Sequence, residues 1–186
     1  MSFDLAATLR RLKPQRRTIA LRRRADDELT FVARPVRGGS ELLLDTNVYI
    51  DALQARLPEE VKELLASRLL NHSAIAISEL AHAFGRLDPS HAQTKSTLRE
   101  VNETIADIPQ HRLSAPSIQA IVEAGILTGM IARMRGLEKR NRRHLLNDAI
   151  LYLQALEQGH ILLTRNVADF DALQQLVPEG RVLFYR

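Results

Sequence analysis

The chain has 186 residues, 45% of them apolar, and a net charge of +4, enough for one domain with a sizeable core and a short appendage. The absence of cysteine excludes disulfides, thiolate zinc sites and cysteine nucleophiles. No apolar run approaches a membrane span and the N-terminus lacks a signal-peptide core, so a soluble, cytoplasmic protein without a membrane partner is expected.

The first 40 residues differ from the rest. Residues 1–24 carry eight cations (Arg10, Arg11, Lys13, Arg16, Arg17, Arg22, Arg23, Arg24) against Asp4 alone, a net of +7, which leaves −3 for the other 162 residues. Arginine supplies 22 of the 26 cations. A cluster of planar guanidinium groups suits phosphate binding, and it equally describes a solvated tail. Pro14, Pro35 and the Gly38-Gly39-Ser40 joint mark residues 1–40 as a basic N-terminal extension or arm. Within it, residues 18–24 and 29–33 read as short strands, or the first continues a helix begun near Leu5.

From Glu41 the pattern becomes regular. Short apolar runs at 42–44, 74–77, 161–163 and 182–185 read as strands, and helical patterns fill about 47–55, 58–70, 79–86, 90–107, 116–134, 144–158 and 167–176. Continuous apolar strands separated by helices predict an α/β domain over 41–186, with a short, mainly parallel sheet flanked by helices. Parallel strands bring their C-terminal ends to one edge, where α/β proteins bind ligands.

Three of these strands deliver a carboxylate to that edge. The first ends in Asp45-Thr46-Asn47. The second is followed by Ser78-Glu79, with Ser78 placed to cap the next helix. The third leads through Thr164-Arg165-Asn166 to Asp169. Each acid alone has a structural explanation at a helix start; their convergence is the informative feature. Asp148 adds an independent argument. Its helix is apolar on nearly all sides, leaving a narrow polar gap at Asn147, Gln154 and Gln158. Asp148 lies outside that gap, so its carboxylate is expected to be buried, paired either with an arginine such as Arg165 or with a shared metal. Clustered carboxylates repel unless a cation joins them. An all-oxygen set favours Mg²⁺ or Mn²⁺ over zinc, and the six histidines show no ligand spacing.

These residues resemble the PIN-domain ribonuclease family, in particular the toxins of VapBC-type toxin–antitoxin pairs. The resemblance rests on Leu43-Leu44-Asp45-Thr46-Asn47-Val48, on Ile77-Ser78-Glu79-Leu80-Ala81, on Asn147-Asp148-Ala149-Ile150, and on the long block from Leu162 to Phe170. It covers about residues 41–186 and implies a PIN-like three-layer fold. It further implies a metal-dependent endoribonuclease acting on single-stranded RNA, with Asp45, Glu79, Asp148 and Asp169 as catalytic residues and as ligands of Mg²⁺ or Mn²⁺. Thr46, Asn47, Thr164 and Asn166 would hold those acids by hydrogen bonds, and Asn166 or Asp169 would fill the fourth position. A small antitoxin and a homodimer are the implied partners. Arg165 and the basic stretch containing Arg133, Arg135, Lys139, Arg140, Arg142 and Arg143 would guide the RNA backbone, unless that stretch is a solvated turn. Two other readings remain at this stage: a non-catalytic nucleic-acid-binding module, and a regulatory protein acting through a partner complex. Aromatic residues are 4% of the chain and tryptophan is absent, which disfavours extensive base stacking.

Overall fold

The computed structural model describes residues 4–33, 38–136 and 142–186, with side chains in the last span described from His144 onward. Five strands form one parallel sheet: β1 Leu42–Leu44, β2 Leu70–Ser73, β3 Leu113–Ser114, β4 Ile161–Thr164 and β5 Arg181–Phe184, in the order β3-β2-β1-β4-β5. The helices are α1 Leu5–Leu12, α2 Thr46–Leu53, α3 Glu59–Ser67, α4 Ala74–Arg86, α5 Thr94–Ala106, α6 Ile118–Arg135, α7 Arg142–Gln158 and α8 Val167–Leu176. The α/β, PIN-like architecture expected from the sequence is present.

Strand β1 is three buried leucines because it is central and covered on both faces. Its register with β4 sets Leu44 beside Leu163, so Asp45 and Thr164 emerge together at the C-terminal edge. Helix α7 is buried from Leu145 through Ala155 apart from the half-buried Leu146 and Asn147, as its apolar circumference requires. In its polar gap Gln154 meets protein, while Gln158 is exposed: the Gln154 side chain, 1% exposed, accepts from Ser73 Oγ at 2.6 Å and donates to Ser114 Oγ at 2.9 Å.

Three expectations need correction. Residues 74–77 are the first turn of α4, not a strand, because Ser73 Oγ accepts from the Ile75 amide and caps the helix there. The strand lies just before, at Leu70–Ser73, and the predicted helix over 58–70 stops at Ser67. Ser78 therefore caps nothing; its hydroxyl donates back to the Ile75 carbonyl at 2.8 Å.

The N-terminal segment packs onto the domain through residue 33. Residues 18–24 form no strand, and 29–33 contribute only a bridge between Phe31 and Phe184 on the free side of β5. Leu12 and Leu29 join the core. Arg11 pairs with buried Glu123 of α6, and Arg24 Nε reaches the fully buried Asp171 of α8 at 2.6 Å.

Candidate active site

Asp45 ends β1 and begins α2, where extended backbone turns into helix. Its carboxylate is 3% exposed. Oδ1 accepts from the Thr46 amide at 2.7 Å, and Oδ2 accepts from Thr164 Oγ1 at 2.6 Å and from Asn47 Nδ2. Burial pushes the Asp45 carboxyl up to about 6 despite these donors, with Glu79 adding repulsion. Every donor to Asp45 is neutral.

Glu79 lies in the second turn of α4, one turn further along than a strand ending at Ile77 would place it. It still reaches the site: Thr46 Oγ1 donates to Oε2, and Asn147 Nδ2 donates to Oε1 at 2.6 Å. Asp148 is 9% exposed and its Oδ2 accepts from Asn166 Nδ2 at 2.9 Å. Its carboxyl is held well above the ordinary carboxylate range by burial first, then by Asp45, Asp169 and Glu79. The arginine offered as its partner, Arg165, instead pairs with Asp51 at 3.3 Å. Among the described residues Asp148 has no cationic partner.

Asn166 caps α8, its Oδ1 accepting from the Asp169 amide at 3.3 Å. The same side chain donates from Nδ2 to Asp148 and, at 3.0 Å, to Asp169. It thus bridges the two carboxylates. Arg135 stands 3.7 Å from Asp169 and donates to the Ala168 carbonyl. Thr164, fully buried, links Asp45 to the Asn47 side chain and the Asn166 amide.

The structure therefore brings Asp45, Glu79, Asp148 and Asp169 to one region, spaced by Thr46, Asn47, Thr164 and Asn166. Asn147, Asp51 and Tyr185 were not foreseen. Asn147 stood next to Asp148 in the polar gap of α7. Asp51 follows Asn47 by one helical turn, a spacing that places both on one face. Lys139 and Arg140 of the basic stretch lie outside the described residues, as do the side chains of Arg142 and Arg143.

Among the described residues no three Asp, Glu, His or Cys side chains stand in a closed metal-holding set; amides and hydroxyls bridge the acids. The donor chemistry nonetheless fits a divalent cation. All candidate donors are hard oxygens, and Asp148 carries a buried carboxyl that three acids repel and no described cation balances.

No protein-family model and no curated protein matches the chain. Solved structures do. A chain of FitAcB from Neisseria gonorrhoeae aligns with a TM-score of 0.55 at 22% identity, over 77% of this chain and 96% of that one. A chain of VapBC2 from Rickettsia felis, solved with a DNA fragment from their promoter, aligns at 0.54 and 16%, over 78% and 98%. VapBC-1 from nontypeable Haemophilus influenzae gives 0.51 and 22%, over 77% and 96%. The chain shares the PIN-like fold found in these VapBC and FitAB toxin–antitoxin structures.

Proposed function

We propose that this chain is a divalent-metal-dependent endoribonuclease acting on single-stranded RNA and the toxin of a toxin–antitoxin pair, with a small antitoxin protein as its partner and a homodimer as its assembly. The observation that carries the reading is Asp148: a buried carboxylate outside the polar gap of its helix, repelled by three further acids and unbalanced by any described cation. A structural carboxylate at such a position would have an arginine beside it, as Asp171 has. The likeness to VapBC and FitAB complexes supports the toxin and the antitoxin.

Asp45, Glu79, Asp148 and Asp169 would hold Mg²⁺ or Mn²⁺. The bound cation supplies Lewis acidity and positive charge for phosphodiester hydrolysis. Thr164 and Asn47 keep Asp45 Oδ2 fixed, and Asn166 keeps Asp148 and Asp169 apart. Arg165, at the open rim of the site, is positioned by Asp51 and attracts the RNA backbone. Water is the nucleophile: its oxygen bonds to phosphorus and gives up a proton, the P–O bond to the leaving oxygen breaks, and that oxygen takes up a proton, so no net proton is gained or lost.

Cleavage mapping on total cellular RNA with the wild type and Asp45→Asn tests this. The wild type is expected to cleave only with Mg²⁺ or Mn²⁺, and the folded variant not at all. Cleavage that survives EDTA would remove the metal from the reading.

A further inference from the structure

Two kinds of cation share the N-terminal segment. Arg11 and Arg24 turn inward onto the buried carboxylates of Glu123 and Asp171 and fasten the segment to α6 and α8. Lys13, Arg16 and Arg17 are exposed, and among the described residues their side chains make no ion pair. These three line a surface cavity of about 480 Å³ whose remaining wall is largely apolar, with Ile19, Met134 and Leu176. Among the described residues no carboxylate lines it.

The cavity is built rather than left under a loose tail. Arg133, in the last turn of α6, donates to the carbonyls of Pro14 and Arg17 at 2.7 and 2.9 Å, and Gln175 of α8 donates to the Arg22 carbonyl at 2.9 Å. Both helices also lead to the candidate active site. Met134 precedes Arg135, which faces Asp169. Leu176 ends the helix whose first turn carries Asp169, about 10 Å away along its axis at 1.5 Å per residue.

We propose that this cavity is a second binding site for the RNA strand, taking a backbone phosphate and its nucleotide away from the scissile bond. The inference rests on the reading of the acidic site as an RNA nuclease. Three cations with no acid among them match a polyanion. The apolar wall and the volume suit one nucleoside, since small-molecule pockets fall between roughly 300 and 1,000 Å³. An acidic protein segment would not need the apolar wall beside the cations, and a free nucleotide would not need the run of helix toward Asp169.

The test uses the full chain in the Asp45→Asn background, with a labelled single-stranded RNA, and compares it with the triple substitution Lys13→Gln, Arg16→Gln, Arg17→Gln. Each phosphate that a removed cation no longer neutralises flattens the slope of log affinity against log salt by about 0.7. Between 50 and 200 mM salt the parent is therefore expected to lose about twenty-fold more affinity than the triple variant. In the cleaving protein KM is expected to rise in the triple variant. Arg10→Gln, which removes an exposed cation outside the cavity, is expected to retain the parent's slope. Melting temperatures of the substituted proteins report folding, and the single variant Arg16→Gln, expected to flatten the slope by about 0.7 alone, stands in if the triple variant unfolds. Equal slopes in parent and triple variant overturn the proposal. Equal displacement of the RNA by poly-glutamate, or mononucleotide binding as tight as that of the strand, overturns it in favour of an acidic protein or a free nucleotide. Asp45-dependent cleavage with an unchanged slope would sink the cavity and leave the nuclease. A flattened slope in a protein that cleaves no RNA would do the reverse.

Discussion

Tyr185, the penultimate residue, donates its hydroxyl to Asp51 Oδ2 at 2.9 Å inside the protein. Asp51 is 1% exposed and also accepts from Arg56 at 3.0 Å, beside the Arg165 guanidinium at 3.3 Å. The same tyrosine oxygen lies 3.2 Å from Asn47 Oδ1, which accepts from the Arg165 amide. The end of β5 is thereby tied to α2 and to the loop that carries Arg165. Burial and the Asp51 charge push the Tyr185 hydroxyl far above its ordinary value, so it stays a donor.

Tyr185→Phe should therefore destabilise by about 1–3 kcal/mol, the cost of leaving a charged, buried acceptor short of one donor. Denaturant unfolding of the variant checks it. Arg56 and Arg165 remain on Asp51, so a loss near zero would mean that they carry the carboxylate alone.

The Asp148 carboxyl gives a pH dependence whose sign is opposite to that of an ordinary paired acid. Its folded-state proton affinity is raised, so as pH climbs the unfolded chain gives up this proton first, near 3.8, and the folded state is progressively disfavoured. Asp45 acts in the same direction over the window from 3.8 to about 6. In metal-free protein, wild type and Asp148→Asn should have similar melting temperatures below about pH 3.8. The variant should be the more stable of the two by neutral pH. Mg²⁺ should close that gap by binding the folded wild type. A wild type that gains stability over Asp148→Asn as pH rises would show that a cation already balances this carboxylate.

What the sequence made visible tracks how local the physics is. Leu42-Leu43-Leu44 followed by Asp45 is legible because a central parallel strand is apolar on both faces and must end where it meets a helix cap. Asp148 is legible because it lies outside the narrow polar gap of a helix that is apolar on its other sides. β2 was missed because Leu70-Asn71-His72-Ser73 is mostly polar, and its burial is satisfied by partners distant in the chain: Asn71 donates to Glu41, His72 bonds Tyr49, and Ser73 donates to Gln154. Glu79 is read on the right helix but at its first position instead of its second turn, since the apolar run 74–77 fits a strand and a buried helix turn equally well. The inward arginines were illegible for the same reason as β2: Arg24 and Asp171 are 147 residues apart.

The capping assignment can be measured directly. Ser73→Ala removes the hydroxyl that accepts from the Ile75 amide and should cost about 0.5–2 kcal/mol, with a further loss from leaving Gln154 without its donor. Ser78→Ala touches an exposed hydroxyl bonded only to the Ile75 carbonyl and should stay within about 0.5 kcal/mol of wild type. Paired unfolding curves decide which serine begins α4. Equal losses would return the helix start to Ser78.

The N-terminal segment makes the last prediction, and it bears on how the segment can be tested at all. Asp171 is fully buried, and Arg24 meets it through both its backbone amide, at 3.0 Å, and its guanidinium. Gln175 Nε2 also donates to it, at 2.9 Å. Deleting residues 1–24 removes the cation and leaves an uncompensated buried carboxylate, while Leu12 leaves the core. Breaking a buried pair from one side costs about 3–5 kcal/mol. Arg24→Gln should show most of that loss by itself, reduced because Gln175 still donates and the Arg24 guanidinium is partly exposed. Adding Asp171→Asn should restore much of it, because the double variant has no charge left to bury. Chemical unfolding of the single, double and truncated chains separates the cases. Truncation without loss of stability would mean that the segment rests on the domain without holding it, and only then could its removal report on RNA binding alone.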